Sequence, residues 1–326
     1  MDAGFAEQLA SAGAEDVAAA LRENPLRIGI STRALFDLEE EHQVFINRGV
    51  QSYAKMQLDR EEVPLREGTG FEVVKRLLDL NLPGERPFVE VILLSRNSPD
   101  LSLRAFKSID HHQLHIRTGS FTSGRSLAPF VMAWDIDLFL SKMEDDVKAV
   151  VAGGAAAARL GDAPSRCEET PNDEVRFAFD GDAVVFSAES DEIYKNEGLT
   201  AFLAHEVENA KRPLSLGPFG KFLHKLSLLR RIFLNEENVS RVRIALVTAR
   251  NAPAHERVVR TLREWGTPAD EVHFVGRCSK APILKATGAH IFFDDQQQHI
   301  VSASNVVACG HVPGPHDPEE LIVPAN

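Results

Sequence analysis

The second half of the chain repeats the first half, and this internal repeat restricts the fold more than any other feature. When the sequence is shifted by 149 residues (180 − 31), Ile30–Ala34 falls on Phe179–Ala183 and Gly49 falls on Gly198. A shift of 153 residues (248 − 95) places VILLSRN on IALVTAR and LFLSK on IFFDD. The register is kept through loops and helices alike, so we interpret the chain as a tandem duplication of one unit.

Within each repeat, short apolar strands alternate with segments of helical period. In the first repeat the strands include LRIGIS, FVEVILLS and DLFLS, and the small-residue run AVVAGGAAAARL closes it. Alternation of this kind predicts an α/β fold of Rossmann-like units, with parallel sheets that carry helices on both faces.

The same pattern predicts the domain boundaries. Residues 1–25 read as an N-terminal helical extension, residues 26–160 as the first copy and residues 174–326 as the second. Between the copies, residues 161–173 are rich in Gly, Pro and Asp and lack periodicity, which is typical of a linker. A mostly helical insertion at about residues 187–235 is predicted to form a small cap over the second copy.

Composition excludes several classes of protein. A formal net charge of −12 over 326 residues disfavours binding to nucleic acid or to an anionic membrane. The three cysteines are too far apart to indicate disulfides or a zinc site, and no apolar run approaches membrane-spanning length. The N-terminus lacks the features of a signal peptide. We therefore expect a cytoplasmic enzyme.

An aspartate pair follows the first strand of the second copy, in FAFDGDAVVFS. At the carboxyl end of a parallel strand, Asp180 and Asp182 could hold a hard cation, and one of them could attack a phosphorus atom. An Asp-Gly step between apolar residues is also a hairpin signal. The first copy keeps the strand but has Ser31 and Arg33 at the two positions, and the loss of both acids favours the chemical interpretation.

Further polar groups follow the later strands of the second copy. We predict that Asp180, Asp182, Asp294 and Asp295 serve a Mg²⁺ site, with Asp180 as nucleophile and Asp182 as general acid and base. Phosphate contacts are predicted from a second group of residues: Thr248, Ala249, Arg250 and Lys280. Lys285 is an alternative to Lys280. The first copy has Ser95, Leu127, Ser141 and Lys142 at the corresponding positions, so it is predicted to be catalytically degenerate.

These motifs resemble the haloacid dehalogenase superfamily, and within it the cytosolic type-I 5′-nucleotidases. The segments that carry the resemblance are FDGDAVVFS, ESDEIYKNEGL, LVTAR, SKAPIL and HIFFDDQ, together with ISTRALFD and HIRTGSFTSGRSLAPF of the first copy. The resemblance implies Mg²⁺-dependent hydrolysis of nucleoside 5′-monophosphates, most of all AMP, through an aspartyl-phosphate. It places the nucleophile, acid/base, phosphate hydroxyl, lysine and metal acid at Asp180, Asp182, Thr248, Lys280 and Asp294.

Several alternatives stay open at this point. The chain could be a phosphatase for another small phosphomonoester, or a nucleotide sensor without catalysis. Arg33 and Arg96 of the first copy could bind the phosphate of a nucleotide effector, or simply pair with nearby acids. Phe186, Phe202 and Phe219 could stack on a base or fill an apolar core. The sequence also leaves open whether the protein forms a homo-oligomer.

Overall fold

The computed structural model describes residues 12–162 and 173–314. The predicted linker at 161–173 lies almost entirely outside these ranges, as does the first part of the predicted extension at 1–25. The chain divides into two compact units: Arg27–Ala163 forms the N-terminal unit, and Met1–Leu26 with Pro164–Asn326 forms the C-terminal unit. No helix in the described ranges is both long enough and apolar enough to cross a membrane.

The sheet of the N-terminal unit is mostly parallel. The strands that the structure describes in this part of the chain are β1 (Leu26–Ser31), β2 (Phe36–Asp37), β3 (Arg66–Glu67), β4 (Val89–Ser95), β5 (Thr118–Phe121), β6 (Leu138–Ser141) and β7 (Ala156–Leu160). Five of them lie in the order β5-β4-β1-β6-β7, with β1 parallel to β6, β6 to β7 and β4 to β5. β2 and β3 form a separate antiparallel pair.

Helices connect these strands, as the alternating pattern predicts. They are Thr32–Leu35, Glu39–Asp59, Phe71–Leu78, Ser102–His111, Ala128–Ala133 and Glu144–Ala152, with a 3₁₀ turn at Pro99–Leu101. The helix Phe71–Leu78 shows why they form: Phe71, Val74 and Leu78 recur at helical spacing and are buried. The small-residue run that closes the first repeat contains the end of one helix and all of β7.

The C-terminal unit has the same architecture. Its described strands are β8 (Val175–Phe179), β9 (Val242–Thr248), β10 (Glu271–Phe274), β11 (Ile291–Asp294) and β12 (Cys309–His311). They lie in the order β10-β9-β8-β11-β12, and all four neighbouring pairs are parallel. Its helices are Ala14–Glu23, Glu189–Glu208, Gly220–Ile232, His255–Glu264, Ala281–Thr287 and Gln297–Ala303.

The two helical segments of the predicted cap differ in their surroundings. Gly220–Ile232 buries Phe222, Leu226 and Leu229 and packs against β9 and against the helix Ala14–Glu23. It is therefore part of the body of the C-terminal unit. By contrast, few residues of Glu189–Glu208 are buried. This helix is therefore the part of the predicted insertion that could still form a cap.

The helix Glu189–Glu208 turns back on itself at Gly198, where φ is 83° and ψ is 178°. Sixteen residues of straight helix would span about 24 Å, yet the Ser190 hydroxyl donates to Glu206 across a sequence separation of 16 at only 2.7 Å. In the N-terminal unit, Gly49 (φ 78°) interrupts the helix Glu39–Asp59 in the same way. We call these two segments the helical hairpins. Positive φ favours glycine, which explains why both turns carry it.

Buried aromatic rings fix the tip of β8. Phe179 lies between Phe177 and Phe293, with ring centroids 6.1 and 5.6 Å away, and Phe219 lies 4.8 Å from Phe293. All four rings are fully buried. Close packing of this kind holds the strand end rigidly, and the residue that follows Phe179 is Asp180.

Candidate active site

Three strands of the C-terminal unit deliver polar side chains to one edge of the sheet. β8 ends just before Asp180, β9 ends at Thr248 and β11 ends at Asp294. The Asp180 backbone N–H donates to the Phe293 carbonyl at 2.8 Å, which extends the pairing of β8 and β11 up to the site. Because the strands are parallel, their carboxyl ends meet as predicted.

The chain after Asp180 forms a tight buried turn over Gly181–Val185, and Phe186, which follows the turn, is fully buried. A side chain at Gly181 would place its Cβ 3.1 Å from the Thr248 hydroxyl. Glycine therefore allows β9 to bring Thr248 close to the backbone between the two aspartates. The turn is not that of a β-hairpin, because β8 pairs with β9 and β11 rather than with the segment that follows.

Lys280 bridges two of the acids. Its ammonium lies 2.8 Å from Asp180 Oδ1 and 2.7 Å from Asp294 Oδ2, and all three side chains are buried. Burial raises the pKa of Asp180 to about 7, although Lys280 counteracts the shift. Burial would also raise the pKa of Asp294, but Lys280 and His299 outweigh it and lower that pKa. The ammonium of Lys280 thus stabilises the ionised carboxylates of Asp180 and Asp294. Lys285, the alternative from sequence, is exposed on the helix Ala281–Thr287.

His299 also belongs to this group, although sequence reasoning did not identify it. Its Nδ1 lies 3.1 Å from Asp294 Oδ2, and the Gln296 N–H donates to Asp294 Oδ1 at 2.8 Å. Potential ligand atoms of Asp180, Asp294 and His299 all lie within 4.8 Å of one another, a spacing at which they could hold a metal ion. The only signal in the sequence is position, since His299 follows Asp294 by five residues and lies in the first turn of the helix after β11.

The chemistry of the donor set fits a divalent cation. Two carboxylates suit a hard ion such as Mg²⁺, and a histidine that contacts a ligating carboxylate commonly orients it. Asp295 lies beside this group with neither carboxyl oxygen hydrogen-bonded within the described part of the chain. Burial and the nearby carboxylates of Asp294 and Asp180 raise the pKa of Asp295 to about 9. A cation here would offset this concentration of buried acids.

Asp182 faces a different partner. The Arg250 guanidinium donates to both of its carboxyl oxygens, through Nε at 2.8 Å and Nη2 at 2.6 Å, and Nη1 of Arg250 contacts Glu206. Burial raises the pKa of Asp182, and Arg250 counteracts that shift. The Arg250 backbone N–H donates to the Thr248 hydroxyl at 3.2 Å. Of the predicted phosphate-binding stretch, Thr248 and Arg250 are buried and Ala249 is exposed.

The phenylalanines considered for base stacking separate into two groups. Phe186 and Phe219 are fully buried in the body of the unit. Phe202 is half-buried on the helical hairpin, where its ring lies 5.6 Å from the Arg250 guanidinium carbon. Of the three, Phe202 is placed near the site.

The same sheet edge of the N-terminal unit carries hydroxyls instead of acids. β1, β4 and β6 end at Ser31, Ser95 and Ser141, which line a cavity of about 550 Å³. Arg33 forms a two-point ion pair with Glu39 at 3.1 and 2.7 Å. Arg96 pairs in the same way with Asp146 at 2.9 and 2.5 Å. Both arginines thus pair with nearby acids, which is one of the two roles that the sequence left open for them.

The chain matches a known protein family over most of its length. The family model for 5′-nucleotidase matches residues 18–318. The human protein named cytosolic 5′-nucleotidase 1B is 32% identical over 292 residues, which cover 87% of this chain and 48% of the relative. The chain thus spans about half the length of that curated relative. Because the family model covers most of the sequence, including every strand described above, the chain belongs to the 5′-nucleotidase family.

Proposed function

We propose that the protein is a Mg²⁺-dependent 5′-nucleotidase that hydrolyses nucleoside 5′-monophosphates, AMP foremost, in the cytoplasm. The observation that carries the proposal is the convergence of Asp180, Lys280 and Asp294 at one sheet edge, with Lys280 2.8 and 2.7 Å from the two carboxylates. This arrangement occurs in a chain of the 5′-nucleotidase family. The name of the human relative, cytosolic 5′-nucleotidase 1B, supports both the activity and the compartment.

In the proposed reaction, an Asp180 carboxylate oxygen attacks the phosphorus atom, and the bond from phosphorus to the 5′-oxygen breaks. Asp182 gives a proton to the leaving 5′-oxygen, so that the nucleoside departs neutral and Asp180 carries the phosphoryl group. A water molecule then attacks the phosphorus atom while Asp182 takes its proton. Phosphate leaves, and the Asp180 carboxylate is restored.

The remaining groups stabilise charge on the phosphoryl oxygens. We assign this role to the Thr248 hydroxyl and to the backbone N–H groups of the turn that follows it. Lys280 balances the charge of Asp180 and of the phosphate together. Asp180 and Asp294 would hold Mg²⁺, with His299 and Asp295 beside them. The ion, when bound, supplies positive charge that reduces the repulsion between a carboxylate nucleophile and an anionic phosphate.

We also propose that the two units arose by duplication and that the helical hairpin Glu189–Glu208 is the cap of the catalytic copy. Three pairs of corresponding contacts support the duplication. Leu65 N–H donates to Ser108 Oγ at 2.9 Å, and Leu214 N–H donates to Thr261 Oγ1 at 2.9 Å. In the second pair, the backbone N–H of Asn97 donates to Ser95 Oγ and that of Arg250 donates to Thr248 Oγ1, both at 3.2 Å. In the third pair, the Met143 N–H donates to Ser141 Oγ at 3.1 Å, and the Gln296 N–H donates to Asp294 Oδ1 at 2.8 Å.

A panel of phosphate-release assays tests the proposed function. Nucleoside monophosphates and sugar phosphates are compared with and without Mg²⁺, and Asp180→Asn serves as the control. We expect turnover of AMP that requires Mg²⁺ and disappears in the variant. Turnover confined to sugar phosphates would favour the alternative of a different phosphomonoesterase. Tight AMP binding without any phosphate release would favour the alternative of a nucleotide sensor.

The cavity of the N-terminal unit supports a second, separate proposal, that of a nucleotide effector bound without hydrolysis. Two guanidiniums line it, each already paired with a carboxylate, and Thr32 Oγ1 is buried there without a hydrogen-bond partner in the described ranges. Its wall includes the rings of Phe45 and Tyr53. Equilibrium dialysis of AMP against Asp180→Asn should give two molecules per chain. One molecule per chain would contradict the effector proposal.

A further inference from the structure

We propose that Arg250 and Glu206 are positioning residues for Asp182, through which the helical hairpin Glu189–Glu208 controls proton transfer to the leaving oxygen. The inference rests on the proposed function, in which Asp182 is the general acid and base. It assigns to Arg250 a role different from the phosphate contact that the sequence suggested.

Every nitrogen of the Arg250 guanidinium is engaged by a carboxylate. Nε and Nη2 donate to the two oxygens of Asp182 at 2.8 and 2.6 Å, and Nη1 donates to Glu206. The side chain is only 1% exposed. A two-point contact of this kind fixes the plane of a carboxylate as well as its position. Arg250 is thus built to orient Asp182.

Glu206 is also held by several hydrogen bonds. The Ser190 hydroxyl and the Arg257 guanidinium donate to its Oε1 at 2.7 and 2.9 Å, and the carboxylate is fully buried. Arg257 is itself anchored, because its Nε donates to the Arg212 carbonyl at 2.9 Å. Ser190 and Glu206 lie near opposite ends of the helical hairpin. One carboxylate therefore closes the hairpin and also connects it to Arg250.

These contacts form a chain of alternating charge, Asp182–Arg250–Glu206–Arg257. With both acids ionised, the two carboxylates and two guanidiniums make the chain neutral, which is the condition under which buried charges are tolerated. Asp182 leaves this state when it takes up the proton that it later donates. A movement of the helical hairpin that displaced Glu206 would leave Arg250 with one partner and change how it holds Asp182. Asp182 must aim its proton at a single oxygen atom, so its orientation is part of the chemistry.

The N-terminal unit lacks this connection. Asn97 stands at the position of Arg250, and its Oδ1 accepts from the Tyr53 hydroxyl at 3.1 Å. Gln57 stands at the position of Glu206 and Arg33 at the position of Asp182. The charged chain is therefore present in the unit that has a general acid to position and absent from the unit that has none.

The experiment compares two substrates that differ in their need for a proton. The 5′-oxygen of AMP needs a proton to leave, whereas p-nitrophenyl phosphate releases a stable phenolate. The measured quantity is kcat/KM, which reports the steps up to departure of the leaving group and excludes the later attack of water that both substrates share. We expect Arg250→Met to lower kcat/KM for AMP about 100-fold and kcat/KM for p-nitrophenyl phosphate less than about 10-fold, because general acid catalysis contributes about 10²–10⁴-fold. Asp182→Asn should show the same selectivity. Combining the two substitutions should add little, since both act on one step.

Two further variants separate positioning from folding. Glu206→Gln keeps the size of the side chain but removes its charge. It should also lower activity on AMP more than activity on p-nitrophenyl phosphate, by a smaller factor than Arg250→Met does. Arg104→Met breaks the corresponding buried contacts of the N-terminal unit. We expect it to lower the melting temperature while leaving the ratio of the two kcat/KM values unchanged.

Equal losses on both substrates in Arg250→Met, or no loss on either, would overturn the inference. So would a change in the ratio of the two kcat/KM values for Arg104→Met as large as that for Arg250→Met. Failure of the proposed function looks different: the wild-type protein would turn over neither ester, or Asp180→Asn would keep its activity.

Discussion

The two units use the same positions to connect a helical hairpin with a sheet edge, but the chemistry of the connection differs. In the N-terminal unit the links are hydrogen bonds that end in a neutral amide: Arg104 to Gln57 at 2.7 Å, Gln57 to Tyr53 at 2.9 Å and Tyr53 to Asn97 at 3.1 Å. In the C-terminal unit the corresponding residues are Arg257, Glu206, Phe202 and Arg250. There Glu206 contacts both arginines directly.

The difference separates the part of the connection that we assign to folding from the part that we assign to chemistry. An arginine buried below the helical hairpin is present in both units, as Arg104 and Arg257, and both donate through Nε to a backbone carbonyl. This part of the connection therefore serves the fold. Within the described ranges, the C-terminal unit alone extends this connection to a second arginine that holds an aspartate at the tip of the strand. The added charges are what the catalytic proposal requires.

The strongest test of the comparison is at the strand tip. Asp180→Asn removes the proposed nucleophile, so we expect kcat on AMP to fall at least about 1,000-fold. The corresponding change in the N-terminal unit, Ser31→Ala, should leave the basal kcat within about twofold. A steady-state phosphate assay on both variants decides. Retained activity in Asp180→Asn would contradict the proposed difference between the units.

A second test concerns the buried acid of each helical hairpin. Arg104 pairs with Glu41 at 2.8 Å, and both side chains are only 6% exposed. Removing one partner of a buried ion pair costs about 3–5 kcal/mol, so Glu41→Gln should lower the free energy of unfolding by about that amount. Adding Gln57→Glu copies the C-terminal arrangement and should recover more than half of the loss. Urea denaturation of the two variants measures both effects, and no recovery would show that the arrangements are not interchangeable.

Lys280 offers a third test, which has no counterpart in the N-terminal unit because Leu127 stands there. Lys280→Met leaves Asp180 and Asp294 buried without their common cation. We expect the free energy of unfolding in EDTA to fall by about 2–3 kcal/mol, less than for a full ion pair because one acid can take up a proton. Mg²⁺ should restore more stability to the variant than it adds to the wild-type protein. Equal effects of Mg²⁺ on both proteins would contradict a cation site at these acids.

The smallest effect is expected at the glycines of the helical hairpins. Both Gly49 and Gly198 have φ near 80° and no atom within 4 Å of a built Cβ. Alanine at either position therefore meets backbone strain alone, about 1–2 kcal/mol. Thermal unfolding should show similar losses for the two variants, whereas only Gly198→Ala should alter turnover of AMP. A change in turnover from Gly49→Ala would contradict the separation of roles.

The sequence was sufficient to predict the architecture of each unit, because strands and helices of this length alternate with clear periodicity. It did not assign β7, since Ala156–Leu160 is mostly alanine and lacks the branched residues that mark a strand. It also extended the cap to residue 235. The amphipathic pattern of Gly220–Ile232 fits a helix but does not say which surface that helix covers.

For the candidate site, the sequence predicted which residues follow the strand tips, and the structure brings Asp180, Lys280 and Asp294 together as expected. It could not predict partner choice. Arg250 follows Thr248 directly, which suggests a contact with phosphate, but its partners Asp182 and Glu206 lie 68 and 44 residues away. Such contacts depend on how the helical hairpin turns back, and no local pattern encodes that.

The buried acid precedes the glycine turn in one helical hairpin and follows it in the other. This placement limits the order in which the two sequences could have diverged. The N-terminal unit has Glu41 and Gln57, whereas the C-terminal unit has Ser190 and Glu206 at the equivalent positions. If both units descend from one ancestor, the acid moved from one helical segment of the hairpin to the other. An intermediate with no acid leaves a buried guanidinium uncompensated, whereas one with two acids keeps it paired. Gain of the second acid before loss of the first is therefore the favoured evolutionary route.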